Sequence, residues 1–246
     1  MNEQNDYMSK HHSAIGHSPS STLTDRLNDG RLEVPTAVYA NRLGREIVII
    51  GVKHYASSQF WTNLSVQLTA LDGKTAIHFE QPIRELVPRR LRVKSRVGRS
   101  LDRSQHRIWT AAGCEFQFDA LSIGPNWENH DVPVARTLSA IHIGPLIIAA
   151  VMSLLLSLNQ NVARAYGRSQ VRQLHTDAGK NFPMWMVMRP SVILRERNSV
   201  AARAALAASN DVVMIWGHAH LPGIGKLLER GGFVLTRVNW NQVFAA

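Results

Sequence analysis

Two stretches far apart in the chain carry the same order of apolar and polar positions. Glu46 to Gly51 reads EIVIIG and is followed by Val52, Lys53 and His54, then by SSQFWTNLSVQL. Asp211 to Gly217 reads DVVMIWG and is followed by His218, Ala219 and His220, then by LPGIGKLLERGG. Consecutive apolar residues rich in Val and Ile predict strands buried on both faces, as in a sheet covered by helices on either side. Gly51 and Gly217 are expected to let the chain turn off each strand. After the first turn, Phe60, Leu64, Leu68 and Leu71 recur at helical spacing behind a Ser57 or Ser58 cap. After the second, Pro222 suits an early helical position and Gly231 a stop. Lys74 to Glu80 (KTAIHFE) predicts a third strand. The fold class is therefore α/β: a mixed sheet flanked by helices, made of two related strand-GxxH-helix halves.

The remaining pattern divides the chain. Residues 1–30 are rich in Ser, Asn, Asp and His and read as a disordered leader; residues 31–246 form the domain, with a basic and helical insert at about 84–180. The leader histidines His11, His12 and His17 read as solvated rather than metal-bound, since nothing nearby holds them in one geometry. Ile143 to Leu158 (IGPLIIAAVMSLLLSL) is apolar but shorter than the roughly 20 residues a spanning helix needs. A buried core helix is expected there, with contact between 143–158 and a membrane surface as the alternative.

Composition narrows the setting. The apolar share of 45% can fill a core, and a single cysteine, Cys114, excludes both a disulfide framework and a cysteine-based zinc ribbon. With no signal-peptide run, a reducing, cytoplasmic location is expected. The net charge of +10 is concentrated between Arg84 and Arg107, where nine basic residues stand against Glu85 and Asp102. Such a strip reads either as a solvated arginine face or as a binding surface for an anionic partner such as nucleic acid.

The chemistry lies in the repeated unit. A residue just past a strand in a βα unit sits at the carboxyl edge of the sheet, where open α/β sheets bind ligands. His54 and His220 are so placed, and the third strand delivers Glu80 to the same edge. Two imidazoles and one carboxylate suffice to hold a catalytic divalent metal, leaving a position for water. His78 and His218 are alternative ligands, His78 because alternation puts it on the face of Glu80.

The segments IVIIGVKH, IHFEQ, ILRERNSVAARAAL and VVMIWGHAHLPGIGKLLERGGFVL resemble the TraB family, which includes the Tiki metalloproteases and the pheromone-shutdown proteins and is distantly linked to the erythromycin esterase and ChaN-like group. The resemblance spans about Arg45 to Val243. It implies a metalloprotease-type hydrolase that uses a divalent ion, manganese, cobalt or zinc, whose two GxxH motifs are Gly51 with His54 and Gly217 with His220, whose carboxylate is Glu80, and whose Glu-Arg-Asn segment is Glu196, Arg197 and Asn198. Glu80 or Glu196 would accept the proton from a metal-activated water. Arg197 would hold Glu80 or stabilise an oxyanion, and the substrate would be a peptide or small amide. The alternatives are a non-catalytic peptide-binding or regulatory protein of the same fold, or an anion-binding protein that uses Arg84 to Arg107.

Overall fold

The computed structural model describes residues 22–71, 75–178, 188–189 and 191–244. In chain order the elements are β1 (Arg26–Asn28), β2 (Arg31–Ala40), β3 (Glu46–Val52), β4 (Tyr55–Ala56), α1 (Ser58–Thr69), β5 (Ala76–Phe79), α2 (Arg92–Ala111), β6 (Glu115–Phe116) and α3 (Gln117–Ala120). They continue with β7 (Trp127–Asn129), α4 (Val134–Ala140), α5 (Ile143–Ser157), α6 (Gln160–Thr176), α7 (Arg197–Ala207), β8 (Val212–Gly217), α8 (Leu221–Arg230) and β9 (Val234–Phe244). A π-helical stretch, Ser191–Glu196, runs straight into α7.

Among the described residues seven strands form one mixed sheet in the order β1-β2-β3-β8-β5-β7, with β9 paired to β2. Its centre is parallel: β8 lies between β3 and β5, and β7 flanks β5. Its margin is antiparallel, with β2 pairing β1, β3 and β9. The β-branched runs fit this arrangement because both faces are covered. Ile50, Val52, Val213 and Ile215 face Phe60, Trp61 and Leu64 of α1. Ile47, Ile49, Met214 and Trp216 face Ala201, Ala202 and Ala205 of α7 and Ile224 and Leu228 of α8.

The local signals of the two halves hold. Ser57 caps α1 by accepting a hydrogen bond from the Phe60 amide, Pro222 sits in the first turn of α8, and Gly231 ends that helix. The role of Gly51 differs from the expected turn. It lies inside β3, and a Cβ there would stand 2.7 Å from the carbonyl oxygen of Pro35 on the neighbouring strand. Close backbone approach, rather than backbone conformation, requires the glycine.

Two boundaries and the burial of one helix differ from expectation. Residues 1–21, including His11, His12 and His17, lie outside the described residues, as does Lys74 at the start of the third strand. The leader does not reach residue 30, because Leu23 is buried and β1 joins the sheet at Arg26. Nor is 84–180 wholly an insert, since β7 returns to the main sheet beside β5. Finally, α5 is not a buried core helix. Only Leu146, Ala150, Ser153 and Ser157 are buried, while Ile148 is 66% and Leu155 58% exposed. The small side chains form one stripe that lets α5 lie close to α2, where Gln105 donates to the Ser153 hydroxyl at 2.7 Å. No helix among the described residues is long and apolar enough to cross a membrane.

Candidate active site at the carboxyl edge of the sheet

Parallel pairing aligns the ends of the central strands. Val52 lies beside Gly217, and Phe79 lies beside both Ile215 and Asn129. The residues that follow therefore emerge together: His54 after β3, Glu80 after β5, Asp131 after β7, and His218 and His220 after β8.

Glu80 is the hub. One carboxylate oxygen, Oε2, accepts a hydrogen bond from the Gly217 amide at 2.5 Å. The other, Oε1, lies 2.7 Å from Nη2 of Arg197 and 3.4 Å from Nε2 of His220. A Cβ at position 217 would come within 3.0 Å of Glu80 Oε2, so the second motif glycine keeps the approach to this carboxylate open. Arg197 completes its fork on Asp131, with Nε 2.8 Å from Oδ1 and Nη2 2.6 Å from Oδ2. Glu80, Asp131 and Arg197 are all buried. One guanidinium thus joins two carboxylates from neighbouring strands to the first turn of α7, using the planar geometry that lysine lacks.

Both motif imidazoles are tethered in the same way. Nδ1 of His220 lies 2.6 Å from Oδ1 of Asn198, and Nδ1 of His54 lies 3.0 Å from Oε1 of Gln117. A carbonyl oxygen only accepts, so each Nδ1 donates to its tether, and Nε2 is the ring nitrogen turned away from it. Asn198 reaches His220 because Gly223 leaves it room; a Cβ at 223 would collide with the Asn198 amide. Gln117 is held by its own backbone, whose N–H donates to the His54 carbonyl at 2.9 Å. The small β4-β6 pairing, Tyr55 with Phe116, brings those two residues together.

Charge follows from this geometry. Burial alone would raise the Glu80 carboxyl, but His220, Arg197 and His54 pull more strongly the other way and hold it well below the usual carboxylate range. Glu80 is an anion at any physiological pH and a weak proton acceptor.

No protein-family model, curated protein or solved structure matches this chain.

The residues singled out in the sequence divide accordingly. Glu80, Arg197 and His220 converge. His54 stands at the same edge and acts electrostatically on Glu80, but its ring is exposed and drawn to Gln117. Among the described residues, the one trio of His, Cys, Asp or Glu side chains that brings a ligand atom from each within 4.8 Å of the others is His78, Glu128 and His130. That trio could hold a metal ion, whereas His54, Glu80 and His220 do not reach the same spacing. His218 turns to a different partnership, 3.4 Å from Lys53 Nζ and 3.6 Å from Asp25 Oδ2. Burial, with Lys53 adding, pushes its imidazole down to about 4. Glu196 is removed from Glu80; it forms an exposed ion pair with Arg136, at 2.8 Å from both Nε and Nη2. Asn198 was named in the sequence only as a member of the Glu-Arg-Asn segment, and Asp131 and Gln117 were not singled out. That segment gave Asn198 no task, which its contact with His220 supplies; Asp131 and Gln117 acquire their roles only through long-range contacts.

A cleft of about 960 Å³ opens over this edge, with His54, Glu80 and Arg197 in its lining. One wall is aromatic: Tyr55 stacks on Trp109 with ring centroids 5.6 Å apart and planes 14° from parallel, and packs against Phe116 at 5.1 Å. Arg84, Arg103 and Arg107 also line it, together with Asp102 and Asp119.

Proposed function

We propose that the chain is a hydrolase of amide or peptide bonds whose chemistry is carried by His54, Glu80 and His220 beneath this cleft. The observation that carries the reading is the pair of tethered imidazoles. Each ring nitrogen Nδ1 is anchored on a side-chain amide oxygen, with Nε2 of His220 3.4 Å from the buried, ionised Glu80 carboxylate and His54 at the same edge of the sheet. Outer partners of this kind are how proteins orient histidines for metal binding or proton transfer.

A divalent ion fits His220 and Glu80 in donor chemistry and in spacing, since their 3.4 Å separation is about that of neighbouring ligands around a tetrahedral ion. Such an ion supplies a polarised carbonyl and a more acidic water when bound. The chain's own residues do the rest. Arg197 keeps Glu80 ionised and fixed. His220, its Nδ1–H on Asn198, aims Nε2 at Glu80. His54 takes over the proton-accepting role expected of Glu80: its Nε2 removes a proton from water, the water oxygen bonds to the acyl carbon, and the amide C–N bond then breaks. The departing nitrogen takes that proton from His54. The aromatic wall suits an apolar or planar group on the substrate.

The test is hydrolysis of a panel of peptides and amides, with metal content measured in parallel. His54→Ala and His220→Ala should each lower turnover by at least about a hundredfold with the fold intact. His220→Ala should also weaken binding of added manganese, cobalt or zinc, whereas His54→Ala should not. Full turnover in both variants rejects the reading.

An anionic partner is the second reading, supported by one feature of α2. Arg92, Arg96, Arg99, Arg103 and Arg107 recur every three or four residues, are all exposed, and so form one ridge about 22 Å long that ends in the cleft. The remaining cation of the helix is spent internally, with Lys94 donating to the carbonyls of Leu138 and Ile141. Binding of a single-stranded oligonucleotide should fall steeply with added salt, and changing Arg96 and Arg99 to Ser should reduce the slope by about two. Salt-independent binding, or none, removes this reading.

A further inference from the structure

We propose that His78, Glu128 and His130 form a separate divalent-metal site, suited to zinc, that pins the edge strand β7 to β5. It does not depend on the hydrolase reading, because it uses a different set of ligands on a different part of the sheet.

The register supplies the first argument. His78 and Glu128 are direct neighbours on parallel strands, and His130 follows Glu128 by two residues, so alternation sends all three side chains to one face of the sheet. Their ligand atoms lie within 4.8 Å of one another. His130 Nε2 is 2.9 Å and His78 Nε2 3.7 Å from the same oxygen of Glu128. The two values bracket the separation of about 3.3 Å between neighbouring ligands of a tetrahedral ion. The rings of His78 and His130 meet edge to face with centroids 4.2 Å apart.

His78 itself is buried, its ring without a hydrogen bond among the described residues. Its side chain is only 3% exposed, its Nδ1 has no hydrogen-bond partner among the described residues, and its Nε2 is too far from Glu128 for a hydrogen bond. A buried imidazole with neither nitrogen bonded, aimed at a carboxylate and a second imidazole, is matched by a cation that accepts all three. Two imidazoles and one carboxylate suit zinc, nickel or cobalt better than magnesium or calcium, which favour all-oxygen shells.

A cleft of about 500 Å³ lies over the trio, bounded by the small side chains Ala204 and Ala207 at the end of α7, so an ion and its water can enter from solvent. The clamp also has a purpose in the fold. β7 has three residues and lies at the sheet edge, yet Asp131, immediately after His130, must hold Arg197. Fixing His130 fixes the backbone that delivers Asp131.

The experiment is zinc titration of the chelator-treated full-length protein by calorimetry, repeated with cobalt to record the visible absorption of a tetrahedral ion. Wild type should bind an equivalent, separate from any held by His220 and Glu80, that His130→Ala and Glu128→Ala each weaken by more than about tenfold, while His220→Ala retains it. Zinc should raise the melting temperature of His220→Ala but not of double variants that combine His220→Ala with His130→Ala or Glu128→Ala. Both substitutions are at partly exposed or exposed positions, and circular dichroism establishes that the variants fold. The proposal is overturned if wild type binds no zinc, if His130→Ala and Glu128→Ala bind as wild type does, or if the only equivalent lost is lost in His220→Ala. That last result supports the Glu80 site instead, so the two failures are distinguishable.

Discussion

Arg197→Ala is expected to destabilise the fold by about 3 to 5 kcal/mol at neutral pH, the range seen when one partner of a buried ion pair is removed. The loss is large here because one guanidinium serves two carboxylates, Glu80 and Asp131, both buried beneath α7. Without it, two anions remain in a dry site with fewer donors than lone pairs. Arg197→Lys should fall between wild type and alanine, since a single ammonium keeps the charge but not the fork that spans both strands. The measurement is urea unfolding of the three proteins. Equal midpoints for wild type and Arg197→Ala would show that the triad contributes nothing to stability.

The pH dependence of the same unfolding has a defined sign. Glu80 is held below its ordinary value of 4.5 in the folded chain, so in acid the unfolded chain takes up the proton first. The stabilisation from this carboxylate is complete at neutral pH, starts to fall as pH drops toward 4.5, and is gone below the folded value. Removing Arg197 raises the folded value toward the unfolded one. The stability of Arg197→Ala should therefore decline less between pH 6 and 4 than that of wild type, although it starts lower.

Glu80→Gln should separate chemistry from stability. The substitution keeps the volume of the side chain, and Arg197 keeps its two-pronged partner Asp131, so the cost to folding should be about 1 to 3 kcal/mol for an imperfectly matched buried group. Hydrolysis should drop by about a hundredfold to ten-thousandfold, because the anion that orients His220 and completes the donor set is gone. Turnover measured at a urea-free pH where both proteins are fully folded isolates this effect. Retention of wild-type turnover would remove Glu80 from the reaction and leave it as a structural counter-ion of Arg197.

The GxxH units were legible in the sequence for a physical reason: buried parallel strands write continuous apolar runs, and the residues after them are delivered to one edge whatever the length of chain between. The same logic placed Glu80, and alternation placed His78 on the face of Glu80. The meaning of the glycines was not legible. Gly51 answers to a carbonyl on β2, and Gly217 to the Glu80 carboxylate, contacts across 16 and 137 residues of chain. Glu196 and Arg197 look equivalent as neighbours in a charged segment, yet entry into α7 turns Arg197 inward to two carboxylates and leaves Glu196 with Arg136 at the surface. The arginine ridge of α2 was visible as charge and, once its helical phase is known, as a line.

By itself the amino-acid sequence determined the class of fold, the two capped helices that follow the paired strands, and the edge at which the chemistry-bearing residues emerge. These depend on local periodicity and on short-range backbone preferences, which few neighbours can override. The tertiary structure alone decided which side chains meet: that Asp131 shares Arg197 with Glu80, that Asn198 and Gln117 orient the rings of His220 and His54, and that His78 joins Glu128 and His130. Such pairings rest on distances of a few ångströms between residues tens of positions apart, and no periodicity in a linear chain encodes them.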